Sequence, residues 1–323
     1  MTIHDVASAA GVSRQTVSRA LNDKGEIGGS TKQRVLDAAL ALGYRPSRFA
    51  RGLVRQDTTT VGLVIPDLLN PFFTEVAAAV LESARSRGWQ VVLYDTADSP
   101  EEELRALRVL VSQVDAVVGY LSGPESEIEA LTRGLPVVLV GRELDAARFS
   151  SIRVDGEAGI RAAIARLAAV GHRRIGMVDH VTRPEPSVRC AWFTRALREQ
   201  GLDEGPVVRA RQSVEGGEEA LGALLAGDPS VTAVFTYNDV IAVGVLRAAR
   251  RLGRSVPSEL AVVGFDGVRL GAYLEPPLTS VALDTRSLAA LALDQIGRQL
   301  SGTEPLGPQD LVVRAELLPR ESA

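Results

Sequence analysis

From Val61 onward the chain alternates short apolar runs with longer segments whose apolar residues recur every three or four positions. The runs Val61–Ile65, Gln90–Tyr94, Ala116–Gly119 and Val137–Val140 are too short for helices and fit strands. Between them lie amphipathic helices. The first opens at Asn70 and Pro71 and carries Phe73, Val76, Ala77, Val80 and Ala84 on one stripe. A second series begins near Glu157, with strands Ile175–Val178, one near Val207, Ala233–Thr236 and Leu260–Gly264. Its helices start at Glu157, Ser187 and Glu215, and a fourth runs Asp239–Leu252. Strict alternation of this kind specifies a parallel sheet covered by helices on both faces. Two series specify two similar subdomains with a cleft between them. Doubly wound sheets take ligands at the carboxyl ends of their strands, so polar residues just after each strand are the candidates for a site.

The first fifty residues have a different rhythm. Thr2 caps a short helix with Ile3, Val6, Ala7 and Ala10 on one face, and Gly11 ends it. Ser13 caps a second helix with Val17, Ala20 and Leu21 inward. Only Gly11-Val12-Ser13 joins them, the pattern of a helix-turn-helix. A third helix starts at Ser30, with Gln33 completing a capping box and Val35, Leu36, Ala39 and Leu42 inward. Residues 47–55 interleave Phe49, Ala50 and Leu53 with Arg48, Arg51 and Arg55, and are too short to hold a helix alone. Asp57 to Thr60 reads as a linker.

Charge is divided unevenly. Residues 1–56 hold nine Lys/Arg against four Asp/Glu, whereas the whole 323-residue chain has a net charge of −4. A basic head on an acidic body points to an anionic partner for the head. Other classes are excluded by what is scarce. One cysteine, Cys190, gives no internal disulfide and no Cys-rich zinc site, and His4, His172 and His180 are the whole histidine supply. No metal and no cofactor are expected. The Met1-Thr2-Ile3-His4-Asp5 start lacks a basic segment and an apolar core, and no apolar run is long enough to span a bilayer, so a cytoplasmic protein is expected, without membrane contact. There is no GxxxxGK[ST] loop and no HExxH, and Cys190 with His180 lacks a third orienting group, so catalysis is not expected and Cys190 reads as a buried thiol.

The ordered set of motifs resembles the lactose-repressor (LacI/GalR) family of bacterial transcription regulators. The opening Thr2-Ile3-His4-Asp5-Val6-Ala7, Ala10-Gly11-Val12-Ser13 and Thr16-Val17-Ser18-Arg19-Ala20-Leu21-Asn22 carries the resemblance, as do Leu42 to Pro46 and Ala50 to Leu53. It continues through Gly62 to Asp67, Asn70-Pro71-Phe72-Phe73, Gly171 to Ile175, Asn238-Asp239, Val262 to Asp266 and Pro276 to Val281, over nearly the whole chain. The expected fold is therefore α/β: a three-helix helix-turn-helix headpiece plus a two-subdomain, doubly wound, periplasmic-binding-protein-like core. Residues 1–46 would be the DNA-binding domain, 47–57 a hinge helix and linker, and 58–323 the effector-binding and dimerisation core. Within that core one subdomain would take about 58–156 and 284–308, the other about 157–283 and 309–323.

Arg14 and Gln15, on the exposed first turn of the second helix, are the expected base readers: arginine suits guanine and glutamine suits adenine. Arg19 is a further candidate for a base or a phosphate. Thr2, Ser13, Thr16, Ser18, Asn22 and Tyr44 are the expected phosphate contacts, with Arg51 joining the DNA-binding set; Ser13 and Thr16 can also be read as helix caps alone. In the resembled family the leucine matching Leu53 is a wedge between base steps in the minor groove. Gly52 stands where serine is commoner and should weaken the hinge helix off DNA. One head buries little surface, so a homodimer on double-stranded, pseudo-palindromic operator DNA is expected. No heptad tail follows Leu318, so nothing suggests a tetramer.

In the core, Arg189, Asn238 and Asp266 match the family's effector-binding positions, and Phe72 and Phe73 can supply an aromatic wall, with Trp192 beside them. Arg189 and Asp266 also admit a purely structural ion pair, and Phe73 a place in the core. Asp239 is expected to support its helix. Asp95, Tyr120 and Arg142 are further strand-end candidates. The sequence departs from the family at Gly141, where some relatives carry a sugar-touching Asp, at Trp192, where Gly is usual, and at Leu283, where Gln is frequent. The expected effector is a small molecule, a sugar or sugar derivative first, with a nucleoside or other metabolite as alternative. The rival readings are a transport-type binding protein, which the basic head argues against, and an enzyme with a fused DNA-binding head.

Overall fold

The computed structural model describes residues 3–21, 27–42, 58–132, 134–142, 144, 149–181, 185–302 and 310–323. It divides into two compact units, Met1–Thr58 and Thr59–Ala323.

The first unit holds α1 (Ile3–Ala10), α2 (Arg14–Leu21) and α3 (Gly29–Ala41). Each helix is too short to stand alone, and they are held by a small shared core of Val6, Ala7, Ala10, Val17, Ala20, Val35 and Ala39. Gly11, at φ +62°, makes the tight exit from α1. The Arg34 side chain donates to the carbonyl of Ala10 at 3.0 Å and so satisfies an open end of α1. Two expectations are corrected. Leu36 is 39% exposed; Val35, Ala39 and the partly buried Ala38 and Leu42 form the inward stripe instead. Gln33 donates to Asp37 at 3.0 Å one turn on, so its side chain extends forward along the helix and not back to a capping box.

The second unit is built on eleven strands in the order β2-β1-β3-β4-β5-β11-β10-β9-β8-β6-β7. In chain order they are β1 (Thr60–Ile65), β2 (Gln90–Asp95), β3 (Ala116–Gly119), β4 (Val137–Val140), β5 (Ser150–Asp155), β6 (Ile175–His180), β7 (Val207–Ala210), β8 (Ala233–Thr236), β9 (Ala261–Asp266), β10 (Thr279–Leu283) and β11 (Asp310–Leu318). The helices between them are α4 (Pro71–Ser86), α5 (Pro100–Leu110), α6 (Glu125–Thr132), α7 (Glu157–Val170), α8 (Val188–Glu199), α9 (Val214–Gly227), α10 (Asp239–Arg251) and α11 (Thr285–Leu300). Strands β1 to β5 pair in parallel, as do β6 to β10, which is what helical crossovers require. Strand β11 joins the two sets. Its residues Asp310–Arg314 run parallel to β5, and Ala315–Leu318 pair antiparallel with β10. Strands β3, β4 and β8, buried along their whole length, have the bounds that their apolar runs specify. No helix among the described residues is long and apolar enough to cross a membrane.

Helix α10 is fixed to the sheet through a buried carboxylate. The Ser280 hydroxyl donates to Asp239 Oδ1 at 2.6 Å, and the Val268 amide donates to Oδ2 at 2.8 Å. Gly264 makes room for it, because a Cβ there would lie 2.0 Å from Asp239 Oδ1. Asp239 thus supports its helix, as the sequence suggested. Burial pushes its carboxyl up to about 7, against the pull of Ser280 and Val268. Because the folded state holds this proton more tightly than the unfolded chain, the stability it confers is full below about pH 4 and lost as pH rises through about 7. Asp239→Asn keeps an acceptor for Val268 and a donor for Ser280. It is expected to flatten the decline of melting temperature between pH 5.5 and 8, the group contributing at most about 1.4 kcal/mol per pH unit. Parallel melting curves for the two proteins would refute this.

Candidate functional site

On the head, Ser13 is the N-cap of α2. The Thr16 amide donates to Ser13 Oγ at 3.1 Å, and the two hydroxyls lie 2.9 Å apart. Capping fixes the direction in which the first turn points. Arg14 and Gln15 on that turn, and Arg19 further along, are exposed, whereas Val17 and Ala20 are buried on the opposite face. Thr16 and Ser18 are half-buried. Thr2, Asn22, Tyr44, Arg51 and Leu53 lie outside the described residues.

In the core, the sequence-derived candidates converge. Phe72, Phe73, Arg189, Trp192, Asn238 and Asp266 all line one cavity of about 170 Å³. Their placement follows from local structure. Asn70 caps α4 by accepting the Phe72 amide at 3.0 Å, which sets Phe72 and Phe73 on the first turn. Ser187 caps α8 by accepting the Cys190 amide at 3.1 Å, so Arg189 and Trp192 stand one turn apart on the same face. Asn238 caps α10: its Oδ1 accepts the Ile241 amide at 3.0 Å, and its Nδ2 donates to Gln212 Oε1 at 3.0 Å. Asp266 ends β9 at φ +112°, a conformation that a non-glycine residue adopts at a cost.

The Arg189 guanidinium is the electrostatic centre. Its carbon lies 4.3 Å from the centroid of the Tyr237 ring and 3.7 Å from that of Phe265. It donates to the Tyr237 carbonyl and approaches Asp266 Oδ1 at 3.5 Å. Burial pushes the Asp266 carboxyl up to about 8; Arg189 pulls against that, and Asp239 and Glu75 add to the rise. The arrangement offers a planar fork, a carboxyl group that can accept or donate, and amides, all beside aromatic faces. Such a set can hold a polar ring in one orientation.

Two of the weaker candidates are consumed elsewhere. Arg142 donates to the carbonyls of Leu121 at 3.0 Å and Gly123 at 2.8 Å, and its charge lies 3.6 Å from Glu125. Asp95 accepts the Ala97 amide at 3.0 Å and the Leu68 amide at 3.3 Å. Each holds a loop, and neither lines the cavity. Tyr120 does line it, with Gly141 and Leu283. Sequence reasoning missed Asn70, Gln212 and Tyr237. Tyr237 directly follows β8 and Gln212 follows β7, so a stricter reading of strand ends would have found both. Cys190 is buried at 7% exposure, and burial pushes its thiol up, which keeps it a poor nucleophile.

Residues 2–47 match the family described as bacterial regulatory proteins, lacI family, and residues 164–323 match the periplasmic binding protein-like domain. The chain is 35% identical over 302 residues to catabolite control protein A of Priestia megaterium, covering 91% of this chain and 90% of that one. Among solved structures it is similar to a LacI family transcriptional regulator from Arthrobacter sp. FB24 in complex with lactose, with a TM-score of 0.76, 33% identity, and coverage of 82% of this chain and 99% of that one. It is also similar to the lac repressor dimer bound to operator and the anti-inducer ONPF, with a TM-score of 0.73, 25% identity, and coverage of 100% and 98%. A capped helix-turn-helix, two parallel strand series joined by a shared strand, and relatives matched along nearly their whole length lead to one assignment: this chain belongs to the LacI family of DNA-binding transcriptional regulators.

Proposed function

We propose that this regulator is a repressor that binds a pseudo-palindromic operator as a homodimer and is controlled by a carbohydrate in the core cavity. The observation that carries the effector half of this reading is the convergence of Arg189, Asn238, Asp266 and the aromatic residues Phe72, Phe73 and Trp192 on one cavity. Polar forks beside ring faces suit a ligand that is hydroxylated at its edge and apolar on its faces. The similar Arthrobacter regulator holds lactose. For the DNA half, the exposed Arg14 and Gln15 on a capped first turn are the base readers, and Ser13, Thr16, Ser18 and Arg19 position them. Thr2, Asn22, Tyr44 and Arg51 are further backbone contacts, with Leu53 the minor-groove wedge. The similar lac repressor is a dimer on its operator. Ligand and operator affinities are then linked reciprocally.

Thermal unfolding of the full chain against sugars, sugar phosphates, nucleosides and amino acids tests the effector class. A ligand at one hundred times its dissociation constant adds about 2.7 kcal/mol to stability. The same ligand must change affinity for operator DNA. A hit among nucleosides alone would favour a nucleobase in the cavity instead of a sugar. Arg14→Ala is expected to cost about 1–3 kcal/mol on the preferred operator and to relax preference at one base pair. An equal loss on every DNA sequence would remove Arg14 from the base readers. Affinity on all sequences should fall steeply with salt.

A further inference from the structure

Strand β6 ends on a buried carboxyl group. Asp179 is fully buried, and its Oδ1 is one of three buried side-chain atoms, with Tyr120 Oη and Gln299 Oε1, that have no hydrogen-bond partner among the described residues. A buried carboxyl group with one oxygen unpaired is costly, and proteins rarely keep one without a use. Its other oxygen, Oδ2, accepts the amide of Ser187, eight positions on, at 3.0 Å. Ser187 is the residue that caps α8. Between the two the chain passes Pro184 and Pro186, which have no amide to donate. The residues on either side of Asp179 hold Tyr237. The Val178 carbonyl accepts the Tyr237 amide at 2.8 Å, and the centroids of the His180 and Tyr237 rings are 4.1 Å apart. Arg209, opposite Asp179 in the β6–β7 register, donates to the His180 carbonyl at 3.0 Å and to the Glu185 carbonyl at 3.4 Å. Val178, Asp179 and His180 therefore hold two things at once: the ring on which the Arg189 guanidinium lies, and the start of the helix that brings Arg189 to it.

We propose that Asp179 is a positioning residue: through Ser187 it keys the first turn of α8 to the end of β6, and so sets where Arg189 and Trp192 stand. Asp179 itself is not among the residues lining the cavity. The inference rests on Arg189 serving the effector, as proposed above, and adds a residue to that site. Cys190, Phe193, Ala196 and Leu197 are the buried face of α8 and hold the helix against the core. Apolar packing is non-directional, so it fixes the depth of a helix better than its register. The Ser187 hydroxyl accepts the Cys190 amide at 3.1 Å, which orders the first turn but ties it only to itself. The bond from the Ser187 amide to Asp179 is the one that reaches the sheet. It has a defined length and direction, which packing lacks. Arg189 needs that definition. Its guanidinium carbon lies 4.3 Å from one ring centroid and 3.7 Å from another, and binding groups have to be held to about 0.5 Å to keep such a geometry.

The chain has two tryptophans, which makes the test direct. Full-length protein labelled with 5-fluorotryptophan gives two fluorine resonances, assigned through Trp89→Phe. Trp192 reports the register of α8, and Trp89, beside Gly297 of α11, is the internal reference. Asp179→Val removes both oxygens and suits a buried strand. It is expected to displace the Trp192 resonance by more than its linewidth and to leave that of Trp89 in place. Asp179→Asn keeps an acceptor for the Ser187 amide and is expected to move neither. An unmoved Trp192 in the valine variant would overturn the proposal. So would movement of both resonances, which is general loosening, or movement of Trp192 in the asparagine variant, since the acceptor would then not be what holds the helix. Asp179→Ser, too short to reach the amide, is read in the same way if the valine variant does not fold. Calorimetric titration with lactose, glucose and ribose adds the link to binding. A sugar that binds the wild type is expected to bind the valine variant about tenfold more weakly. Equal affinity would detach Asp179 from the site and overturn the proposal. If no sugar binds the wild type, the carbohydrate reading fails, and the two resonances still decide the role of Asp179.

Discussion

Replacing Arg189 by lysine is expected to weaken effector binding by about 100-fold, or about 2.7 kcal/mol, while leaving operator binding by the ligand-free protein intact. Charge is conserved in this variant, so an effect of that size has to come from shape. The guanidinium plane lies between the rings of Tyr237 and Phe265, at 4.3 and 3.7 Å. Desolvated contacts of this type contribute about 0.5–2 kcal/mol each, and an ammonium keeps neither the stacking nor the fork. Lysine also leaves Asp266 less well matched in a site where burial already pushes its carboxyl up. Its proton is then held more tightly, and the carboxylate that would accept a ligand hydroxyl becomes scarcer. Titration of the effector into both proteins, with operator affinity measured alongside, decides the matter. An affinity within threefold of wild type would mean that Arg189 serves only the ion pair.

The largest loss of stability is expected at Gly244, which is not among the residues lining the cavity. Helices α9 and α10 approach there backbone to backbone. A Cβ on Gly244 would lie 2.0 Å from the Val214 carbonyl oxygen, and one on Gly217 would lie 2.2 Å from that of Ile241. Neither neighbour is a side chain that can swing aside. Gly244→Val should therefore separate the two helices and cost more than about 3 kcal/mol. That corresponds to a fall in melting temperature of roughly 6–12 °C for a core of this size. Gly222→Ala is the control. It lies on the exposed face of α9 with nothing within 4 Å of the added Cβ, and is expected to gain about 0.5–1 kcal/mol from helix propensity. Similar destabilisation by both would mean that the helix contact is not what matters.

The parts of the fold legible in the sequence are those where one physical rule dominates. Strands buried on both faces must be short apolar runs, and β3, β4 and β8 are. Strand β5 escaped because it begins Ser150-Ser151, two buried hydroxyls. Ser150 is acceptable inside because Gln295 and Gln299 of α11 both donate to it, at 3.0 and 2.9 Å, from nearly 150 residues away. No local pattern announces such a partner. The same division holds in the cavity. Arg189, Asn238 and Asp266 follow from strand ends and helix starts. Tyr237 also directly follows a strand, but its part, to lay a ring on a guanidinium brought from another helix, shows in no local pattern. Arg142 and Asp95 mislead for the complementary reason: a strand end also needs groups to satisfy its own loop backbone, and these two are spent on that.

Strand β11 sets a schedule for making the protein. It sits in the middle of the sheet, between β5 and β10, yet it is the last of the described strands to be synthesised. About 155 residues separate the end of β5 from the start of β11, which at ~5–20 residues per second is roughly 8–30 s of translation. Through that interval β5 presents an edge with unsatisfied amides and carbonyls, and β10 joins it in the same exposure for the final seconds. Each half of the core keeps one strand edge uncovered until Asp310–Leu318 arrives. The nascent chain is therefore vulnerable to wrong strand pairing late in synthesis, and a ribosome stall between residues 283 and 310 would leave both edges open at once.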